Sequence, residues 1–183
     1  RKLGITPDLT SLGKYLGGGL TFGAFGGSEQ FMGGFDPRRE NPWPHAGTFN
    51  NNVLTMAAGV TGLRDIFTEA AAAELNARGD HLRQRMRDAA AARDVPVQVT
   101  GVGSILALHF QRTAIERPVD TQHTPIAART LVHLEMIERG FIIARRGFMS
   151  LSLAITESDI DEFVSAFDDV LAANAALLTT IPG

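Results

Sequence analysis

The stretch from Pro7 to Gly27, PDLTSLGKYLGGGLTFGAFGG, constrains the fold of this chain more than any other. It holds seven glycines and a single lysine, Lys14. Glycine loses much conformational freedom on folding, so this density indicates backbone that passes close to another group or takes a positive φ. The lone cation has two interpretations: a solvated lysine on a flexible turn, or an amine that a rigid loop holds for chemistry.

Composition excludes several classes of protein. Hydrophobic residues make up 44% and charged residues 20%, which is typical of a globular chain with a sizeable core. A net charge of −3 without a basic run argues against a nucleic-acid partner. The chain has no cysteine, which excludes disulfides, thiolate metal sites and cysteine nucleophiles. It also has no apolar run of about 18 residues and no apolar signal core in residues 1–8. We therefore expect no membrane partner and a cytoplasmic location.

The beginning of the sequence has an unusual form. It has no initiator methionine, and the glycine-rich loop arrives within the first dozen residues. We therefore expect the 183 residues to be a piece of a longer chain.

The first third of the sequence predicts short elements joined by glycine and proline. Pro7–Leu12 reads as an extended segment that leads into the Lys14 turn, and Leu20–Phe25 alternates as a second strand. Ser28 is placed to cap a brief helix over Glu29–Met32. The segment Asp36–Pro44 holds three prolines and is predicted to be a loop, in which a tryptophan is either a packing anchor or the wall of a pocket.

Two helices follow. The apolar spacing of Val53–Ile66 predicts a helix with Asn51 or Asn52 as its cap, and Gly59 and Gly62 indicate close approach to another element. Thr68 is placed to cap a second helix. Its apolar stripe consists of Leu75, Leu82, Met86 and Ala90, and the opposite arginine row, interpreted as a solvated face, consists of Arg78, Arg83, Arg85 and Arg87.

Residues 94–96 mark a predicted boundary between a domain over 1–94 and a smaller domain over 95–183. In the smaller domain, two strands around a glycine turn precede a helix over Pro125–Arg139. Phe141–Ala144 and Phe148–Leu153 are predicted to pair as strands. Thr156 and Asp159 fit a capping box at the last helix. This order predicts an α+β unit with a small, mostly antiparallel sheet.

The spacing of residues along the chain excludes several kinds of active site and binding motif. The chain has no G-x-S-x-G elbow, and its five histidines never take metal-binding spacing, so no metal site is predicted. A phosphate-binding P-loop requires serine or threonine after the lysine, where Tyr15 stands. Gly101-Val-Gly103 lacks the third glycine of a dinucleotide-binding motif.

An amine nucleophile survives these exclusions. Only a neutral amine adds to a carbonyl, and burial behind glycine-packed backbone favours the neutral form. An aldehyde cofactor bound to Lys14 also needs donors for its phosphate, and Gly47-Thr48 supplies a hydroxyl and amides shortly before a helix. Thr48 is equally compatible with an ordinary cap.

The lysine stretch followed by HAGTFNNNVLTMAAG resembles class III pyridoxal-phosphate-dependent aminotransferases. The closest resemblance is to the branch of glutamate-1-semialdehyde aminomutase and the β-amino-acid (β-phenylalanine) aminotransferases, and it extends to RGF-x-SLSLAIT. It implies an α/β enzyme of fold-type I. By this resemblance, the chain consists of part of a large domain with a mainly parallel sheet, followed by a small α+β C-terminal domain. It also implies a homodimer with a shared active site.

The resemblance assigns roles to individual residues. Lys14 matches the lysine that forms the Schiff base with pyridoxal 5'-phosphate and moves the proton. Thr48, next to Gly47, matches the threonine that binds the cofactor phosphate from the neighbouring subunit. Arg146 matches an arginine for the carboxylate of substrate or acceptor, to which its guanidinium fork is suited.

The same resemblance places other site residues upstream of Lys14, among them the aspartate for the pyridine nitrogen and the ring-stacking aromatic. We therefore expect the 183 residues alone to be inactive. The expected function is transfer of an amino group between an amino acid, including β-amino acids, or an amine and a keto acid. The alternatives are an intramolecular amino shift, as in the aminomutase, and a non-catalytic dimerisation module. The donor, the acceptor and the stereospecificity do not follow from these residues.

Overall fold

The structure, a computed structural model, describes residues 4–122 and 124–181, apart from the side chain of Tyr15. Contacts divide the chain into two compact units, residues 1–70 and residues 71–183. We call them the N-terminal unit and the C-terminal unit. His123, one of the five histidines considered above, lies outside the described residues.

A β-hairpin opens the N-terminal unit. Strands β1 (Leu9–Gly13) and β2 (Gly23–Gly27) pair antiparallel, with Leu9 opposite Gly27 and Gly13 opposite Gly23. Between them, Lys14–Gly17 forms one 3₁₀ turn, which we call the lysine turn. The second strand begins later than the prediction of Leu20–Phe25, because Gly18 and Gly19 take positive φ values and keep residue 20 in the connecting loop.

Two helices complete the N-terminal unit. Helix α1 (Glu29–Met32) lies where it was predicted, although its cap residue Ser28 makes no side-chain capping bond. Helix α2 (Val53–Thr61) is capped as predicted, since Asn52 Oδ1 accepts from Thr55 N at 3.1 Å. The predicted helix does not run regularly to residue 66, because Gly62–Ile66 widens into a π-helical turn.

The C-terminal unit contains a three-stranded antiparallel sheet in the order β3 (Val97–Val102), β4 (Ile105–Phe110) and β5 (Phe148–Ser150). The register places Val97 opposite Phe110 and Ala107 opposite Phe148. The predicted pairing of Phe141–Ala144 with Phe148–Leu153 is wrong, because β5 hydrogen-bonds to β4 instead. The predicted small antiparallel sheet is confirmed.

Three helices pack with this sheet: α3 (Glu69–Ala92), α4 (Ile126–Glu138) and α5 (Glu157–Leu178). The capping box at α5 is complete, since Thr156 and Asp159 exchange backbone and side-chain hydrogen bonds. The core joins all three helices to β3, β4 and β5. Its fully buried large side chains include Met86, Leu106, Leu108, Phe110, Met136, Phe167 and Leu171.

The arginine row of α3 does not form the solvated face that was predicted. Arg78 donates to Glu157 Oε1 at 3.1 Å and to the carbonyl of Ile155, Arg85 pairs with Asp161, and Arg87 donates to the carbonyl of Val99. Their guanidinium groups reach α5, the residue before its cap, and β3. The row therefore holds α3 within the C-terminal unit.

The predicted domains, 1–94 and 95–183, remain a prediction, and the compact units divide earlier, at Ala70. All strand pairs in the described chain are antiparallel, so the described residues contain no parallel pair of the sheet that the resemblance implies. Among the described helices, none has the length and apolar character needed to cross a bilayer.

Candidate functional site

Lys14 has an unusual backbone. It begins the lysine turn with φ 56°, a left-handed conformation. The other non-glycine residues with positive φ in the described chain are Asn51 and Asp94, whose short polar side chains tolerate this region. Lysine has no such tolerance, so the conformation costs free energy at this position, and strain of this kind concentrates at functional sites.

The Lys14 side chain is exposed and borders a cleft of about 390 Å³, which is also lined by Ser11, Leu12, Gly13 and Leu16. Within the described chain, its ammonium group makes no hydrogen bond or ion pair. The Lys14 side chain is therefore accessible to a ligand from this cleft.

Helix α2 and the π-helical turn after it pack closely against the connection between β1 and β2 that carries Lys14. A Cβ on Gly59 would lie 2.2 Å from the ring of Phe22, and one on Gly62 would lie 2.8 Å from the carbonyl oxygen of Leu16. Leu16 itself is only 4% exposed. The close approach predicted for the two helix glycines is confirmed, and the element that approaches is the connection that carries Lys14.

Thr48 lies in an exposed turn, Gly47–Asn50, closed by a hydrogen bond from Asn50 N to Gly47 O at 3.0 Å. The Thr48 hydroxyl and the amides of Thr48 and Phe49 donate to no described residue. An exposed hydroxyl beside free amides is a donor set that suits a phosphate oxygen.

An aromatic cluster positions this turn. The Phe35 ring meets Phe25, Trp43 and His45 edge to face, with ring centroids 5.4, 5.3 and 6.0 Å away. The backbone of Trp43 also donates to Gly34 O at 2.7 Å. Trp43 is therefore a packing anchor, the first of the two interpretations above. Its contacts return the proline loop to the residues after α1. The His45 ring then meets the Phe25 ring of β2 with centroids 5.2 Å apart, which fixes the start of the segment that leads to Thr48.

The predicted site residues border different surfaces of the two compact units. The cleft beside Lys14 does not include Thr48 or Gly47 among its lining residues. Arg146 belongs to the C-terminal unit, where it borders a second cleft with Ile126, Arg129, Ala144 and Arg145. Its guanidinium carbon lies 5.3 Å from the centre of the Phe148 ring.

Sequence reasoning missed two contributors to these sites. Arg129 was part of a predicted helix, and no motif distinguished it from the other arginines. Phe22 was assigned to a strand, although its position five residues after Gly17 and the small residues of α2 are consistent with the tight fit that the structure shows.

The donors present fit an aldehyde cofactor with a phosphate group. Lys14 supplies an unpaired amine, and the Thr48 turn supplies unpaired hydroxyl and amide donors. The resemblance implies that Thr48 serves a neighbouring subunit, and that role stays a prediction.

Comparison with known proteins extends these observations. Residues 1–171 match the family model described as aminotransferase class-III. Over 177 residues the chain is 44% identical to a β-phenylalanine transaminase from Variovorax paradoxus, covering 97% of this chain and 41% of that protein. It is 35% identical over 170 residues to a glutamate-1-semialdehyde 2,1-aminomutase from Desulfosudis oleivorans, covering 92% and 39%.

Solved structures agree with the sequence comparison. The crystal structure of a β-phenylalanine aminotransferase from Variovorax paradoxus superimposes with a TM-score of 0.89 over 97% of this chain and 41% of that one. A structure described as a transaminase with PLP bound gives a TM-score of 0.79 at 28% identity, over 97% and 41%. The predicted fold-type I class is confirmed. The chain spans about two fifths of the length of the curated relatives it matches.

Proposed function

Since the chain belongs to the class-III aminotransferase family, we propose that it forms the lysine-bearing part of an enzyme that transfers an amino group from an amino acid or amine to a keto acid. The observation that carries the proposal is the Lys14 amine, exposed, unpaired within the described chain and held on a strained turn at the end of β1. The 44% identity to a β-phenylalanine transaminase supports a β-amino acid as donor.

Pyridoxal 5'-phosphate, when bound, supplies an aldehyde that accepts the amino group and a ring that withdraws electrons from the adjacent carbon. In this proposal Lys14 Nζ would hold the cofactor at its aldehyde carbon. When it is not bonded there, the Nζ amine would act as the base that takes the proton from the substrate carbon and carries it to the carbon that receives it. Thr48, with the neighbouring amide of Gly47-Thr48, donates to the phosphate.

Arg146 orients the substrate in this proposal. Its guanidinium group is planar and rests against the Phe148 ring, which leaves its N–H donors available for a carboxylate. Fixing one end of the substrate places the reacting carbon, which is a large contribution to rate in itself.

A homodimer and a cytoplasmic location are further parts of the proposal. The uncovered apolar side chains of α2 support a surface that another subunit covers. Sedimentation of the complete enzyme at several concentrations tests the dimer, and a species of one subunit at all concentrations would contradict it.

The test uses the two lysines of the sequence, Lys2 and Lys14. The chain replaces the matching segment of the Variovorax paradoxus transaminase, and the chimera is mixed with pyridoxal phosphate and reduced with borohydride. We expect absorbance between about 330 and 430 nm before reduction. Mass spectrometry should then find the cofactor on the Lys14 peptide.

Matched variants separate the outcomes. Lys14→Ala should abolish the label and the activity, whereas Lys2→Ala should leave both unchanged. The 183-residue chain alone should show no transamination. Label on Lys2 but not Lys14, or activity that survives in Lys14→Ala, would show that the proposed role of Lys14 is wrong. A chimera without label or activity would favour the non-catalytic module.

An amino shift within one molecule is the second candidate, favoured by the 35% identity to an aminomutase. The two functions differ in their need for a second substrate. If product forms only when an external keto acid is present, the enzyme is a transaminase. Turnover of glutamate-1-semialdehyde without any keto acid would indicate the aminomutase.

A further inference from the structure

The cleft beside Arg146 is strongly and uniformly charged. It has a volume of about 440 Å³, and three of its five lining residues are arginines: Arg129, Arg145 and Arg146. None of its lining residues is acidic. Within the described chain, the guanidinium groups of Arg145 and Arg146 make no hydrogen bond or ion pair. Three like charges without a counter-charge are costly, so the cleft is suited to an anion.

Arg146 is presented by a tight turn. Gly147 N donates to Ala144 O at 2.7 Å, which makes Arg145 and Arg146 the two central residues. Gly147 has φ 85°, and its carbonyl accepts from Leu108 N at 2.9 Å, so the turn is seated on β4. A Cβ on residue 147 would lie 2.5 Å from the carbonyl oxygen of Leu108, which leaves no room for another residue type.

Arg129 joins this turn to the core. From the first turns of α4, its Nη1 donates to the carbonyl of Arg146 at 3.2 Å and its Nη2 donates to the carbonyl of Thr124 at 3.3 Å. Thr124 is buried, and its hydroxyl donates to Gln111 Oε1 at 2.6 Å. The Arg146 peptide is therefore tied through one guanidinium group to a fixed point in the buried polar network.

We propose that the cleft is a carboxylate site in which Arg129 is a positioning residue that fixes the backbone, and with it the guanidinium group, of Arg146. The inference rests on the proposed function, in which Arg146 receives the carboxylate of the keto acid. It adds that a second arginine, which faces the turn from α4, sets the affinity of that site. Without Arg129 the Arg146 carbonyl loses its donor, although the turn keeps its own closing hydrogen bond and its backbone hydrogen bonds to Leu108 and Phe148.

The first test is kinetic and uses the chimera described above. Arg129→Met should raise KM for the keto acid about tenfold or more while kcat changes by less than about threefold, because uniform binding of the carboxylate is lost. Arg129→Lys keeps the charge but not the two-carbonyl fork, so we expect an intermediate rise. Arg146→Met should raise KM at least as much as Arg129→Met.

Arg87 offers a matched control. Its guanidinium group also donates to a backbone carbonyl, that of Val99, with Nε at 2.9 Å, but it does not line the cleft. Arg87→Met should reduce stability without changing KM for the keto acid. If Arg129→Met and Arg87→Met have the same effect on KM, Arg129 is merely structural and the inference is wrong.

The second test needs no catalysis. Phenylglyoxal modifies exposed arginines, and Arg146 is exposed. In the 183-residue chain we expect glutarate to protect the Arg146 peptide from modification, as judged by mass spectrometry. The protection should be lost in Arg129→Met and retained in Arg87→Met. Butyrate in place of glutarate shows whether one carboxylate is sufficient.

The outcomes distinguish the two proposals. Protection by glutarate that depends on Arg129 supports the inference even if the Lys14 labelling fails, which would refute only the proposed function. Labelling of Lys14 with no change of KM or protection in Arg129→Met would refute only the inference. Equal protection by inorganic phosphate and glutarate would overturn the assignment of the cleft to carboxylates.

Discussion

The two compact units differ in where their apolar side chains lie. In the C-terminal unit, the helices and the sheet enclose a continuous core in which Phe110, Met136 and Phe167 are inaccessible to solvent. In the described part of the N-terminal unit, Leu16 is the large apolar side chain that is buried, whereas Phe49 and Val53 are 87% and 79% exposed. The C-terminal unit carries the stability of the chain, and the N-terminal unit carries the lysine.

This difference shows what each unit needs. The N-terminal unit leaves most of its large apolar side chains exposed among the described residues, while the C-terminal unit has its own core. A few close contacts with α2 place the connection that carries Lys14.

The largest expected effect comes from separating the units. A fragment of residues 69–183, which keeps α3 whole, should unfold in one cooperative transition because it retains the core. A fragment of residues 1–68 should show none. Thermal melts followed by circular dichroism check both. A cooperative melt of the 1–68 fragment would remove the contrast between the units.

Single side chains should repeat the contrast on a smaller scale. Phe167→Ala removes a fully buried ring from α5 and should lower the free energy of unfolding by about 3–5 kcal/mol. Val53→Ala on α2 should change it by less than about 0.5 kcal/mol in the 183-residue chain. In the chimera, where we expect α2 to be covered, the same valine substitution should cost more. Urea titrations of both proteins measure the difference.

Glycine substitutions compare the two turn regions. Gly147→Ala should destabilise the C-terminal unit by about 1–3 kcal/mol, because φ is positive and the new Cβ would strike the Leu108 carbonyl. Gly23→Ala in β2 meets nothing within 4 Å and has no positive φ, so it should be nearly neutral. Denaturant midpoints give both free energies. An equal cost at the two positions would show that the close approach of the Leu108 carbonyl to residue 147 does not limit stability.

The helix cap in the C-terminal unit should contribute more to stability than the one in the N-terminal unit. Thr156→Ala breaks a complete capping box at α5 and should cost about 1 kcal/mol. Ser28→Ala at α1 should cost about 0 kcal/mol, since Ser28 makes no side-chain capping bond. Thermal midpoints of the matched variants decide this, and a loss at Ser28 as large as that at Thr156 would be the contrary result.

The smallest expected effect is a dependence of stability on pH near neutrality, which arises from His109 in the C-terminal unit. Burial, and next the charge of Arg129, hold the pKa of His109 below its usual value of 6.5. The unfolded chain takes up the proton at a higher pH than the folded chain, so stability should fall as pH drops below about 6.5. His109→Gln should reduce the change of the thermal midpoint between pH 5 and 7, whereas substitution of the exposed His81 should leave that change as it is.

Local signals predicted the fold well wherever a single segment decides its own structure. The Asn52 cap, the helix glycines and the Thr156 box follow from residue types at fixed spacing, and the structure contains all three. Predictions failed where a distant segment competes. Phe148–Ser150 pairs with β4 because the Gly147 turn is seated on Leu108, which no spacing within residues 141–153 reveals.

The candidate sites show the same division. Lys14 and the Thr48 turn were found from motifs, because their chemistry depends on residue type and neighbours. Arg129 was not found, since its role depends on the carbonyls of Thr124 and Arg146, which are brought to it by tertiary packing. The exposure of Lys14 could not be predicted either, because a glycine-rich loop is equally consistent with a buried lysine and an exposed one.

The left-handed backbone at Lys14 has a consequence for how such a chain evolves. Asparagine or glycine would occupy this position with less strain, so a copy released from selection for activity should drift rapidly toward them. A lysine at the residue that follows β1 is a choice that stability alone disfavours. The proposed role of Lys14 therefore predicts that copies which still transfer amino groups keep this lysine, and that inactivated copies lose it.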